Sequence, residues 1–315
     1  MTAQSPHSTR LSTSAHRVGD GVRLPLVSIV IPAFNRASTI GAALQSVQAQ
    51  TCRDWEAIVV DDGSVDGTSD AVRRLAKEDP RIELRQHARN LGAQAARNTG
   101  IRGARAPWIA FLDSDDRWLP RSLDLRLAAA FQSRVNVVHS PCYRIGEDGN
   151  QVLYQVDPTE GWVYPDLLRA PGPMFQGLLV SKRALGSIGG LDERIVAMQE
   201  WDTAIRLAEH HAFRFVAQPT FIWDCRGVDT ITNNRRREAV GYEQVVRKHF
   251  FSMLRHAGAR ATARHYEIIG VRYESAGSRS AAFRSFGISA ILSPLPARRA
   301  ARLFRRFLAR GHRAS

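Results

Sequence analysis

Residues 107–120 read PWIAFLDSDDRWLP. The apolar run from Trp108 to Leu112 has the length and composition of a buried strand, and it ends abruptly in Asp113, Asp115 and Asp116. Like charges this close repel and raise one another's pKa. A hard cation, a helix N-terminus or a set of backbone donors would offset that cost.

Upstream, two other runs end the same way. Residues 26–31, LVSIVI, read as a buried strand stopped by Pro32, and 55–60, WEAIVV, as a second strand that ends in Asp61 and Asp62. Between them, Ser38 or Thr39 can cap a helix whose Ile40, Ala43, Leu44 and Val47 share a face. DGSVDGT (62–68) is turn chemistry, followed by a helix closed at Pro80, a strand over 81–85 and a polar loop, QHARNLG. A helix over 94–104 then leads into 107–112. This β-α-β-α-β-α-β alternation predicts a parallel sheet with helices on its faces. In such sheets ligands bind beyond the carboxyl ends of the strands. The candidates there are Pro32, Phe34, Asn35, Asp61, Asp62 and the acids 113–116.

No GxGxxG or GxxxxGK[ST] follows the first strand, so no glycine-rich loop cradles a phosphate. A polyphosphate would then be held through Mg²⁺ or Mn²⁺ on carboxylates. Paired acids after strands also occur in phosphoacceptor domains and phosphatases, or as plain helix caps.

VSIVIPAFNRASTIGAALQSVQAQT (27–51), VVDDGSVDGT (59–68), RNLGAQAARNTGI (89–101) and FLDSDD (111–116) together resemble the successive motifs of family 2 glycosyltransferases. The resemblance covers about residues 26–225. It implies a GT-A nucleotide-diphospho-sugar transferase fold, a mostly parallel sheet flanked by helices. It also implies a metal-dependent, inverting hexosyltransferase moving a sugar from a UDP- or dTDP-type donor to a hydroxyl of a glycan or lipid-linked acceptor, in cell-surface polysaccharide synthesis. Carried onto this chain, the resemblance assigns Pro32, Phe34, Asn35, Asp61, Asp62, Asn90, Arg97 and Asp113 to the nucleotide, with Asp62 accepting from a pyrimidine imide. Asp113 and Asp115 form the Asp-x-Asp pair, with Asp115 the direct ligand of Mg²⁺ or Mn²⁺. The family places an acidic base just before an aromatic residue. Here Gln199-Glu200-Trp201-Asp202 puts Glu200 there, one methylene longer than the usual Asp. Periodicity starts a helix at Glu200, pairs Asp202 with Arg206 and puts Trp201 in the core.

The chain has 315 residues and a net charge of +14. Residues 1–225 are balanced, whereas 226–315 carry 19 Lys/Arg against 5 Asp/Glu. The expected organisation is a disordered tail over 1–24, a GT-A domain over 25–225 and a basic helical extension over 226–315. ARRAARLFRRFLARGHR (297–313) is a basic amphipathic helix. It suits peripheral contact with anionic membrane, packing on the body, or nucleic acid, the last being the least favoured. A non-catalytic nucleotide- or nucleic-acid-binding protein is the rival reading. Three widely spaced cysteines, Cys52, Cys142 and Cys225, suit a reducing cytoplasm. The expected place is the cytoplasm, at the inner membrane face when the basic helix docks.

Overall fold

The computed structural model describes residues 24–226 and 234–293. The expected tail and the basic helix 297–313 lie outside the described residues, apart from Leu24. The expected alternation is present as β1 (Val27–Ala33), α1 (Ile40–Gln48), β2 (Trp55–Asp61), α2 (Thr68–Glu78), β3 (Ile82–Gln86), α3 (Ala93–Gly103) and β4 (Trp108–Phe111). There follow β5 (Arg117–Trp118), α4 (Ser122–Ser133), β6 (Val137–His139), β7 (Cys142–Ile145), β8 (Gln151–Tyr154) and α5 (Tyr164–Leu167). A 3₁₀ turn (Phe175–Gly177) leads to β9 (Leu179–Ser181), α6 (Lys182–Ser187), α7 (Gln199–Ala208), β10 (Phe213–Phe215) and β11 (Phe221–Asp224). The last described elements are α8 (Arg235–Lys248), α9 (Phe250–Ser252), a π turn, α10 (Ala259–Ser275) and α11 (Arg279–Leu292).

Seven strands form the main sheet in the order β10-β6-β9-β4-β1-β2-β3. β9 runs antiparallel to β4 and β6, and the other pairs are parallel. A second sheet, β5-β11-β7-β8, stands beside it. Pro32 does not stop β1 as expected. It lies inside the strand, opposite Val60 of β2. The β1–β4 pairing ends at Val30, so from there β1 has a strand partner on one side only, and a residue without an N–H is tolerated.

Both faces of the sheet are covered, which is why its central strands are continuous apolar runs. Ile29, Ile31, Ala57 and Val59 pack with Leu44 of α1, Val72 of α2 and Leu127 of α4. Val30, Ile58, Val60 and Phe111 face the other way, onto Ala96 of α3, Trp201 of α7, Val245 of α8 and Ile269 of α10. The charge of the chain changes at 226, but the core does not divide there. A Cβ on Gly241 of α8 would come within 2.5 Å of the Ala197 carbonyl. Arg237 Nε donates to the Val196 carbonyl, and the Gln244 side chain accepts from Val196 N–H and donates to the Arg194 carbonyl. The segment that leads into α7 is therefore clamped by α8.

Asp202 joins the same two helices. Its buried carboxylate meets Arg206 Nε at 2.9 Å, Lys248 Nζ at 2.8 Å and His249 Nε2 at 2.8 Å. The expected pairing with Arg206 is present, within a larger network. Removing one partner of a buried charge cluster leaves the others uncompensated. Asp202→Ala is expected to lower unfolding free energy by about 3–5 kcal/mol in urea titrations.

Candidate active site

A cleft of about 950 Å³ opens at the carboxyl ends of β1, β2 and β4. Pro32, Phe34, Asn35, Asp62, Asn90, Arg97, Asp113 and Asp115 all line it. The sequence-predicted site residues therefore converge, with two exceptions. Asp61 is 1% exposed and lies off the cleft wall. Its oxygens accept from Ser64 N–H and the Ser69 hydroxyl, so it holds the turn after β2. Glu200 is half-buried and is also off the lining.

Asp62 organises the neighbouring loop. Oδ1 accepts from Leu91 N–H at 2.9 Å and contacts His87 Nδ1 at 2.6 Å, while Oδ2 accepts from Gly92 N–H at 2.7 Å. Oδ2 keeps capacity for another hydrogen bond. His87 reaches on to Thr99 of α3 at 2.9 Å, so a histidine with no motif signal braces the loop. Opposite, Asn35 adopts a left-handed φ of 52° and accepts from Val65 N–H through its side chain. That bond ties the loops after β1 and β2 together.

The three acids after β4 differ in what they touch. Asp113 Oδ1 accepts from Arg97 Nη2 at 2.6 Å and Oδ2 from Gln176 Nε2 at 2.7 Å. Asp116 Oδ2 accepts from the same Gln176 nitrogen at 2.6 Å and Oδ1 from Asp224 N–H at 3.0 Å. Asp115 has only a 3.5 Å contact with Arg36 among the described ion pairs. Burial pushes the Asp115 pKa up and Asp113 pushes it further, against the pull of Arg36. Burial, then Asp113 and Asp115, also raise that of Asp116. Repulsion within the cluster is thus offset by fixed donors on two acids, and the third is left available. Gln176, in the 3₁₀ turn before β9, escaped sequence reasoning because its partners lie 60 and 63 positions away.

Arg97 also links the acids to α7. Its Nη1 donates to Gln199 Oε1 at 3.3 Å and to Gln94 Oε1 at 3.0 Å, and the guanidinium lies 4.4 Å from the Phe175 ring centre. Met198, just before α7, is held at a left-handed φ of 58°. Non-glycine residues rarely adopt that conformation, and here it starts the helix that carries Glu200. Burial raises the Glu200 pKa, with Asp113 and Glu238 adding to the rise and Arg97 opposing it. Trp201 is fully buried, donates to the Leu167 carbonyl at 2.7 Å and packs on Tyr242 and His265, as a core residue should.

The donor set fits a hard divalent cation. Its members are carboxylate oxygens facing a polar cleft, and Asp115 is met only by Arg36 and its own backbone N–H among the described residues. Among the described residues no three acidic, imidazole or thiol groups form a preformed cage. One or two carboxylates completed by substrate phosphates is how Mg²⁺ is commonly held.

Residues 28–173 match the family model described as glycosyl transferase family 2. WfgD of Escherichia coli, named a UDP-Glc:alpha-D-GlcNAc-diphosphoundecaprenol beta-1,3-glucosyltransferase, is 39% identical over 114 residues, 36% of this chain and 44% of that one. TuaG of Bacillus subtilis, named for teichuronic acid biosynthesis, is 33% identical over 145 residues, 46% of this chain and 58% of that one. The chain thus spans about half the length of these curated relatives. Among solved structures, the mannosyltransferase PcManGT from Pyrobaculum calidifontis, in complex with GDP-Man and Mn²⁺, superposes with a TM-score of 0.59 at 20% identity. That match covers 95% of this chain and 84% of PcManGT, and it shows a shared GT-A fold.

The loop geometry makes one position intolerant. Gly63 has a φ of +78°, and a Cβ there would lie 2.7–2.9 Å from the backbone of Arg89 and Asn90. Gly63→Ala is expected to cost about 1–3 kcal/mol in thermal unfolding and to speed amide hydrogen exchange over residues 87–92.

Proposed function

We propose that this chain, whose residues 28–173 belong to glycosyl transferase family 2, transfers a sugar from a nucleoside-diphosphate donor to a hydroxyl, with inversion and with a divalent cation. The observation that carries this reading is the cleft at the strand ends, where Asp115 stands available beside a tethered Asp113. Phe34, 41% exposed, offers its ring to the nucleobase, and the remaining lone pair of Asp62 Oδ2 accepts from a base N–H. Asp115, with Asp113 beside it, would hold Mg²⁺ or Mn²⁺. The cation, when bound, neutralises charge on the leaving diphosphate. Arg36 and Arg97 add positive charge to the same wall.

Glu200 takes the proton of the acceptor hydroxyl as that oxygen attacks the anomeric carbon. Attack opposite the departing diphosphate inverts the configuration in one displacement. A base with a raised pKa is better matched to proton abstraction near neutral pH. Glu200 lies off the cleft wall, and such contacts often tighten only when substrates bind.

The names of WfgD and TuaG support a lipid-linked or polysaccharide acceptor and, through WfgD, a uridine donor. The rest of the cleft wall carries Trp223 and Arg235–Arg237, an aromatic and cationic surface suited to a sugar diphosphate. No helix among the described residues is long and apolar enough to cross a membrane. A lipid-linked acceptor would be met at the membrane surface, where the basic segment 297–313 adds attraction to anionic lipid.

Thermal shift with UDP, dTDP and GDP, each with and without Mn²⁺, tests the class. One nucleotide is expected to stabilise the protein more with Mn²⁺, and Asp115→Ala to abolish that increment; no response to any of them would sink the reading. Glu200→Gln is expected to lower kcat about 10²–10⁴-fold, with little change in KM. In the parent, kcat falls as acid protonates Glu200. Because burial raises that pKa, the acid limb should lie above the ordinary glutamate range and vanish in Glu200→Gln.

A further inference from the structure

We propose that Gln176 is a positioning residue for the acid cluster, and that the buried Arg126 and Trp118 hold Gln176 in place. The proposal rests on the reading that Asp115 takes a cation. The Gln176 amide nitrogen contacts Asp113 at 2.7 Å and Asp116 at 2.6 Å, so its two hydrogens serve two different carboxylates. A lysine here would also bridge them, but its charge would compete with a metal. A neutral amide orders the acids without adding positive charge to the site.

The main chain of this turn is fastened with equal care. The Gln176 carbonyl accepts from Trp118 Nε1 at 3.0 Å and from Arg126 Nη1 at 3.1 Å. The same Nη1 donates to the Leu178 carbonyl at 3.0 Å. Arg126 is 0% exposed, its Nε and Nη2 go to the Ser122 carbonyl and hydroxyl, and its guanidinium lies 4.5 Å from the Trp118 ring centre. Among the described residues, this guanidinium meets neutral oxygens and a ring, not a carboxylate. A buried cation of this kind stabilises a fold less than an apolar side chain of the same shape would. Its geometry has a use, however, because it fixes the two carbonyls that flank Gly177.

The turn reaches the acids from two directions. Gln176 donates to Asp113 Oδ2, and the adjacent Phe175 lies under Arg97, which donates to Asp113 Oδ1. One three-residue turn thus donates to Oδ2 of Asp113 and packs against Arg97, the donor to Oδ1. With Asp113 and Asp116 tied to Gln176, Asp115 is the member that can meet a cation without its neighbours swinging into the same space.

The test is Mn²⁺ uptake, read by electron paramagnetic resonance of free Mn²⁺, with Mn²⁺ alone and with Mn²⁺ plus UDP. Metal-free UDP binding and far-ultraviolet circular dichroism serve as controls. Gln176→Leu keeps the bulk and removes the donor. It is expected to weaken Mn²⁺ binding by about 10–100-fold, the usual effect of losing an outer-shell partner of a metal ligand, while metal-free UDP binding stays within about twofold. Trp118→Phe removes one bond to the Gln176 carbonyl and keeps an aromatic ring; it is expected to weaken Mn²⁺ binding less, in the same direction. Mn²⁺ binding by Gln176→Leu within about twofold of the parent would overturn the proposal. So would parallel loss of Mn²⁺ and metal-free UDP binding, which marks a collapsed site. A parent that takes up no Mn²⁺ under either condition would remove the cation reading itself, and the proposal with it.

Discussion

Three carboxylates within four positions cannot coexist at a strand end without donors, and the arrangement of those donors governs the rest of the site. Arg97 and Gln176 clamp Asp113, Gln176 and the Asp224 N–H clamp Asp116, and Arg36 stands near Asp115. These donors come from α3, the 3₁₀ turn before β9, the end of β11 and the loop after β1. The acid cluster is therefore where four separate parts of the chain are brought into register. Asp224 belongs to the second sheet, so the Asp116 bond also couples the two sheets at the cleft.

The first half of the fold was legible because its signals are local. Short β-branched runs, turn residues and 3.6-residue spacing each act within a few positions, and the seven expected elements lie close to their expected bounds. Pro32 was misread as a strand end because the relief it needs comes from β4, which stops pairing at Val30. The candidate site was legible where residue type and strand end coincide, as at Asp62, Asp113 and Asp115, and where the family resemblance reaches past a strand end, as at Asn90 and Arg97. Asp61 looked equivalent to Asp62 in sequence. Adjacent residues leave a strand in opposite directions, and only one of the pair faces the cleft. Gln176, His87 and Arg126 gave no signal, because their roles consist of contacts formed only after folding.

The later helices show the same limit of composition as a guide. A shift from balanced to strongly basic sequence at 226 looks like the edge of a separate unit. Surface charge and interior packing answer to different constraints, however. Tyr242, Val245, Val246 and Ile269 sit in the same interior as Trp201 and Phe111, while the arginines of those helices stay mostly at the surface.

Gly241 carries this further. With the backbone around Ala197 pressed so closely against α8, the helix that bears Glu200 has no independent footing. The last helices of this chain could not simply be exchanged as a cassette. The seam of any such graft would run through a hydrophobic interior and beneath Glu200. Any change near Glu200 must therefore respect both sides of that seam at once.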